Sequence, residues 1–133
     1  MSILQKKQHF QFKHLFSYKK HILKHGNCAF KLNYTYCFTF KQEEFLKLFI
    51  LKNLKQITVK KIKIFFNSHC FNSQTKLPLE SRMGKGKGEI MNLFGNYKKG
   101  FILFELCEIS ILQARRLQTF LNKKKIARFK LIF

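Results

Sequence analysis

The stretch TFKQEEFLKLFILKNLKQITVKKIKIFF, Thr39 to Phe66, changes its hydrophobic period part-way along, and that change sets the fold class. Thr39 followed three residues later by Gln42 has the capping-box spacing, in which side chain and backbone satisfy two orphan amides reciprocally. Glu43 and Glu44 then fall in the first turn, where the positive end of the helix dipole favours carboxylates. Phe45, Leu48, Phe49, Leu51 and Leu54 supply a broad apolar stripe, while Lys47, Lys52 and Lys55 project elsewhere. The pattern predicts a helix over about 40–55. From Ile57 the residues become β-branched and aromatic, and Lys61, Ile62, Lys63 and Ile64 alternate, which predicts a strand over 57–66 with one wet face.

Working outward, the elements keep alternating in kind. Upstream, residues 1–42 contain no acidic side chain, and eight lysines (Lys6 to Lys41) are interleaved with His and aromatic residues. We read residues 1–25 as a basic N-terminal arm, with a short strand near CAFKLNYTYCF. Downstream, NSHCFNSQTK reads as a polar loop, EIMNLF as a strand, GNYKKG as a turn and FILFEL as the returning strand. Ser110 and Gln113 repeat the capping-box spacing and open a second helix to about Asn122, with Ala114, Leu117 and Leu121 on one face. Lys123 to Lys125 follow at the end where cations suit the dipole, and IARFKLIF is a final strand. Two helices and several strands in mixed order predict one small α+β domain over residues 26–133, two helices packed on a mixed or antiparallel sheet.

Charge is the compositional outlier. Among 133 residues, 27 Lys and Arg face six acidic side chains, all Glu, for a formal net charge of +21 and a pI near 10.2. A compact domain with this much like charge repels itself, and a polyanionic partner relieves the repulsion. Nucleic acid and an anionic membrane surface are the two candidates. Abundant Phe, Lys, Ile, Asn and Tyr, with scarce Ala, Pro and Arg and no Trp, fit an A/T-biased genome such as those of many organelles.

Chemistry of other kinds finds no support in the spacing. Cys28, Cys37, Cys70 and Cys107 lack a CxxC pair; His25, Cys28 and Cys37 come nearest to a metal set, and buried free thiols are the expected state. No secretory segment opens the chain, and its most apolar runs are cut by Lys or Glu well short of the roughly 18 residues of a membrane span. His69 beside Cys70 is the one pair that invites a nucleophile, yet adjacent loop residues point apart. The chain is therefore expected to be no enzyme and to need no cofactor or metal.

The glycines are concentrated. PLESRMGKGKGEI, Pro78 to Ile90, holds three of the six in the chain, at Gly84, Gly86 and Gly88, alternating with Lys85 and Lys87 behind Arg82 and Met83. Glycine admits positive φ and removes side chains that block a close approach. Successive amides in such a segment can form an anion-binding concavity. Ammonium groups and the planar Arg82 fork add charge suited to phosphate oxygens. The spacing is neither the dinucleotide GxGxxG between strand and helix nor a P-loop, so a bound mononucleotide is not expected.

RMGKGKG, a glycine twelve residues on at Gly100, then ILFE and a helix together resemble the bacterial-type large-subunit ribosomal protein sixteen family. The resemblance covers residues 26–133 and looks like that of a divergent, mitochondrially encoded, protist-like member. Leu93 stands where the family commonly has Trp, and the family's Gly- and Arg-rich start is absent. The resemblance implies a hammerhead-barrel-like α+β fold and a structural role in the large ribosomal subunit. It implies contact with large-subunit rRNA near the base of the central protuberance, with the Gly–Lys loop toward the peptidyl-transferase region and A-site tRNA. Arg82 matches an arginine that is hydroxylated in some bacterial members.

The candidate RNA-binding residues are Arg82, Met83, Gly84, Lys85, Gly86, Lys87 and Gly88 in the loop. Lys60, Lys61 and Lys63 on the strand read over 57–66, Lys98 and Lys99 in the turn, Arg115, Lys123 and Lys124 on the second helix, and Arg128 after it complete the set. Expected partners are rRNA, nearby A-site tRNA and other large-subunit proteins, in the mitochondrial matrix, with no membrane and no homo-oligomer. The competing reading is a protein bound to anionic lipid. That requires one strongly amphipathic basic helix, whereas here charge is spread over arm, strands, loop and helices.

Overall fold

A computed structural model describes residues 22–70 and 72–133. The arm expected over 1–25 lies largely outside the described residues. The chain runs β1 (Cys28–Leu32), β2 (Tyr36–Thr39), α1 (Phe40–Ile57), β3 (Ile64–Phe66), β4 (Asn72–Lys76), β5 (Glu89–Tyr97), β6 (Ile102–Leu106), α2 (Ile111–Lys123) and β7 (Phe129–Ile132). The α+β class holds, with the strands divided between two sheets of order β3-β6-β1-β7 and β2-β5-β4, every pairing antiparallel.

Both capping boxes form. Thr39 accepts from the Gln42 amide and the Gln42 side chain from the Thr39 amide, and Ser110 and Gln113 do the same for α2. Ser110 is outside any strand, so Ser110→Ala isolates the cap. We expect it to cost about 1 kcal/mol, read as a lower urea midpoint with an unchanged slope.

α1 faces inward along a different stripe from the expected one. Leu46, Ile50 and Leu54 are buried, while Leu48 is 67% exposed and Phe45 and Leu51 are also exposed. Apolar residues occupy most of this helix's circumference, so period alone leaves its rotation open. Glu43 helps to settle it: buried, it pairs with Lys47 Nζ at 2.7 Å and accepts from Ser68 Oγ at 2.9 Å. Burial pushes its carboxyl up, but bonds from Cys70, Lys47 and Ser68 outweigh this and hold it below the ordinary value.

Three other expectations are corrected. The strand read over 57–66 shrinks to β3. Thr58 bonds the Leu54 carbonyl through both N–H (2.9 Å) and Oγ1 (2.8 Å), so α1 keeps Ile57, and only Ile64–Phe66 pair with β6. The polar loop read over NSHCFNSQTK contains β4, whose Asn72 is buried opposite Phe94. Third, β5 and β6 do not form a hairpin. β5 continues through Tyr97 beside β2 and β4, and the chain then crosses to the other sheet, where β6 lies between β1 and β3. All five β6 residues are buried, and only an interior strand with both faces covered accommodates that.

The core is centred on that strand. Phe30 and Phe104, opposite one another in the β1–β6 register, stack at 4.5 Å, and Phe129 meets both edge-on at 6.4 and 6.1 Å. α2 lies along β7: Gln118 Nε2 donates to the Phe129 carbonyl at 2.9 Å and the Phe129 amide to Asn122 Oδ1 at 3.0 Å.

Candidate nucleic-acid interface

Residues 77–88 connect β4 to β5 as the tip of an antiparallel hairpin whose last pair is Lys76 opposite Glu89. Opposite charges facing across strands favour that register. The three loop glycines serve two purposes. Gly84 and Gly86 have φ of +93° and +76° with open space around them, so their role is conformational. Gly88 lacks positive φ, but a Cβ there would strike the Lys76 carbonyl and the Leu77 amide, so its role is to let the hairpin close. Lys85, between the two glycines of positive φ, does not share it, and this alternation in the sign of φ is compatible with an anion nest. Arg82, Met83, Lys85 and Lys87 are exposed around it, and the Ser81 amide closes a turn on the Pro78 carbonyl at 3.2 Å.

The other candidate residues occupy separate places. Lys98 and Lys99 are exposed at the far end of β5, nine residues and roughly 26 Å of strand from the loop. Arg128 joins them there: the Asn33 amide donates to its carbonyl at 3.0 Å, and the Lys99 amide donates to Thr35 Oγ1 at 3.3 Å. Arg115 and Lys123 are exposed on α2. Lys124 caps that helix with its Nζ 5.5 Å from the centre of the Phe49 ring of α1. Lys60, Lys61 and Lys63 are exposed in the connection from α1 to β3, on the side of the other sheet from the loop, rather than on a strand. Lys41 and Lys125, outside the candidate set, line one cleft with Tyr36, Gln42 and Phe45. Their separation along the chain left no local signal.

Folding sharpens the charge imbalance at the surface. Of the six Glu, Glu43 and Glu105 are buried, leaving Glu44, Glu80, Glu89 and Glu108 exposed against the lysines and arginines. Glu105 is held by the backbone: its Oε2 accepts amides from Lys24, His25 and Gly26 at 3.1, 2.7 and 2.9 Å.

The cysteines have structural surroundings. Cys28 is buried, Cys70 and Cys107 are half-buried, and Cys37 is exposed, against the expectation of four buried thiols. Cys70 points inward to the Phe38 carbonyl at 3.4 Å, and burial followed by Glu43 pushes its thiol up to about 12. His69 beside it is exposed. A thiol held neutral and facing the interior is no nucleophile. Among the described residues no group of three or more His, Cys, Asp or Glu is arranged to hold a metal ion, and no helix is long and apolar enough to cross a membrane.

Comparison with known proteins agrees with the geometry. The family profile of ribosomal protein L16p/L10e matches residues 3–129. The large ribosomal subunit protein uL16 of Carsonella ruddii (strain PV) is 35% identical over 101 residues, 76% of this chain and 72% of its own length. The large ribosomal subunit protein uL16m of Chondrus crispus is 32% identical over 124 residues, 92% of this chain and 90% of its own. A small two-sheet α+β domain, an exposed glycine–lysine hairpin tip, a strongly basic surface and a match over nearly the whole length agree: the chain belongs to the ribosomal protein L16p/L10e family, whose members are structural proteins and not enzymes.

Proposed function

We propose that the protein is a structural component of the mitochondrial large ribosomal subunit that binds large-subunit rRNA through the Arg82–Gly88 loop and the basic residues around the domain. The observation that carries this is the hairpin tip. Two left-handed glycines alternate with Lys85 in a loop held open at the protein surface, a shape that lets backbone amides and ammonium groups reach a sugar-phosphate chain together. Lys60, Lys61, Lys63, Lys98, Lys99, Arg115, Lys123, Lys124 and Arg128 add phosphate contacts on other faces, as burial among several RNA segments requires. The basic arm read over residues 1–25, tied to the domain of residues 26–133 by the Lys24 and His25 amides on Glu105, extends the contact. The family resemblance supports a loop directed toward the peptidyl-transferase region and A-site tRNA, near the base of the central protuberance, with other large-subunit proteins as neighbours. The likeness to the Chondrus crispus protein and the A/T-biased composition favour the mitochondrion.

Binding to large-subunit rRNA transcripts is expected to fall steeply with salt. Lys85→Ala/Lys87→Ala should flatten the slope of log affinity against log salt by about 1.5. An unchanged slope removes the loop from the interface. Co-sedimentation with large subunits from organelle lysate is the expected cellular result; recovery with salt-washed membranes would favour the lipid-bound reading.

A further inference from the structure

We propose that the end of the domain opposite the Arg82–Gly88 loop is a second RNA site, where Tyr34 stacks on an unpaired rRNA base while Lys98, Lys99 and Arg128 hold the flanking phosphates. The proposal rests on the rRNA-binding reading above and specifies the kind of RNA this face takes.

The site is produced by the division into two sheets. The chain passes from one sheet to the other between β1 and β2, and again between β5 and β6, and the two crossings lie side by side. Gly100 N–H donates to the Leu32 carbonyl at 2.8 Å, Lys99 N–H to Thr35 Oγ1 at 3.3 Å, and Asn33 N–H to the Arg128 carbonyl at 3.0 Å. Three chain segments are thereby tied together, with Lys98, Lys99 and Arg128 exposed around one turn. None of the six Glu lies in these segments.

Tyr34 is at the apex of that turn, between the anchored Asn33 and Thr35, and is 53% exposed. Its neighbour Tyr36 is committed inward: its hydroxyl accepts the Arg128 amide at 3.0 Å and its ring stacks on Phe38 at 5.7 Å. An exposed flat ring on a turn tied to segments that carry three exposed cations matches the way proteins take unpaired nucleotides, by stacking on the base and charge on the backbone. A regular A-form duplex keeps its base faces covered, so a loop, bulge or strand end is the form that fits. The spacing of roughly 26 Å along β5 keeps this site distinct from the glycine–lysine hairpin.

The test uses the full chain and transcribed large-subunit rRNA, with affinity measured across a salt series. Tyr34→Ala is expected to weaken binding about tenfold at every salt concentration, leaving the slope unchanged, and Tyr34→Phe to bind as the unmodified protein does. Lys98→Ala/Lys99→Ala/Arg128→Ala is expected to reduce the slope by about 2. All of these side chains are exposed, and circular dichroism should show each variant folded. If Tyr34→Ala binds normally while Lys85→Ala/Lys87→Ala weakens binding, the stacking site is overturned and the rRNA reading stands. If the triple variant keeps the full slope, the phosphate contacts at this end are overturned. If the unmodified protein shows no salt-dependent affinity for rRNA, the functional reading fails and the second site fails with it.

Discussion

Phe104→Ala is expected to lower the free energy of unfolding by about 3–5 kcal/mol, the largest loss of any substitution considered for this chain. The side chain is fully buried in an interior strand of its sheet, facing Phe30 at 4.5 Å, Phe129 at 6.1 Å and Phe66 at 5.9 Å. Those rings come from β1, β7 and β3, so one side chain ties together every strand of the four-stranded sheet. Truncation removes the transfer free energy of a whole ring and leaves a cavity walled by strands that cannot collapse without breaking their hydrogen bonds. Domains of this size are stable by about 5–15 kcal/mol in total, so the variant should be partly unfolded near physiological temperature. Phe104→Leu keeps most of the volume and should cost much less. Urea unfolding followed by far-ultraviolet circular dichroism measures both, and a loss for Phe104→Ala below about 1 kcal/mol would contradict this account of the core.

Glu105→Ala is expected to cost roughly 2–4 kcal/mol, because it orphans several donors at once. The carboxylate is 1% exposed; its Oε2 takes three successive backbone amides, and Asn67 Nδ2 approaches Oε1 at 3.5 Å. Residues 24–26 carry the chain into β1, so this one side chain ties the entry of the domain to its central strand. Glu105→Gln keeps an acceptor but loses the charge and should fall between the two. Burial alone would push the carboxyl up. The amides of His25, Gly26 and Lys24 and the Asn67 side chain outweigh it and bring the folded value below the ordinary 4.5. A depressed folded value means that the stabilisation is fully present above about pH 4.5 and is lost as pH falls through the lower folded value. The stability gap between the unmodified protein and Glu105→Gln should therefore be constant near neutrality and close in acid. A gap independent of pH down to pH 3 would show that the charge contributes nothing.

Local signals were legible where their causes are local. Both helices start where Thr39–Gln42 and Ser110–Gln113 place them, because capping is settled within four residues. The glycine–lysine loop was legible too, since positive φ is a property of glycine itself. The face on which α1 packs was not legible. Its apolar residues surround most of the helix, and the choice of Leu46, Ile50 and Leu54 depends on Ser68, Cys70 and α2, which arrive from elsewhere in the chain. β4 escaped notice for a related reason: NSQTK has no apolar alternation, and it becomes a strand because β5 offers it a ladder.

By itself, the amino-acid sequence determined the charge, the caps, the glycine–lysine loop and the family. It also determined that the domain would mix helices with strands, because each of those is written in neighbouring residues or in composition. Only the tertiary structure decided that β5 and β6 part into different sheets, that Glu105 turns inward to grip the backbone, and that the turn carrying Tyr34 is tied to the segments of Lys98, Lys99 and Arg128 at one end. Strand partners and buried contacts are chosen by competition among segments far apart in the chain, and the burial that decides the competition exists only once the chain has folded.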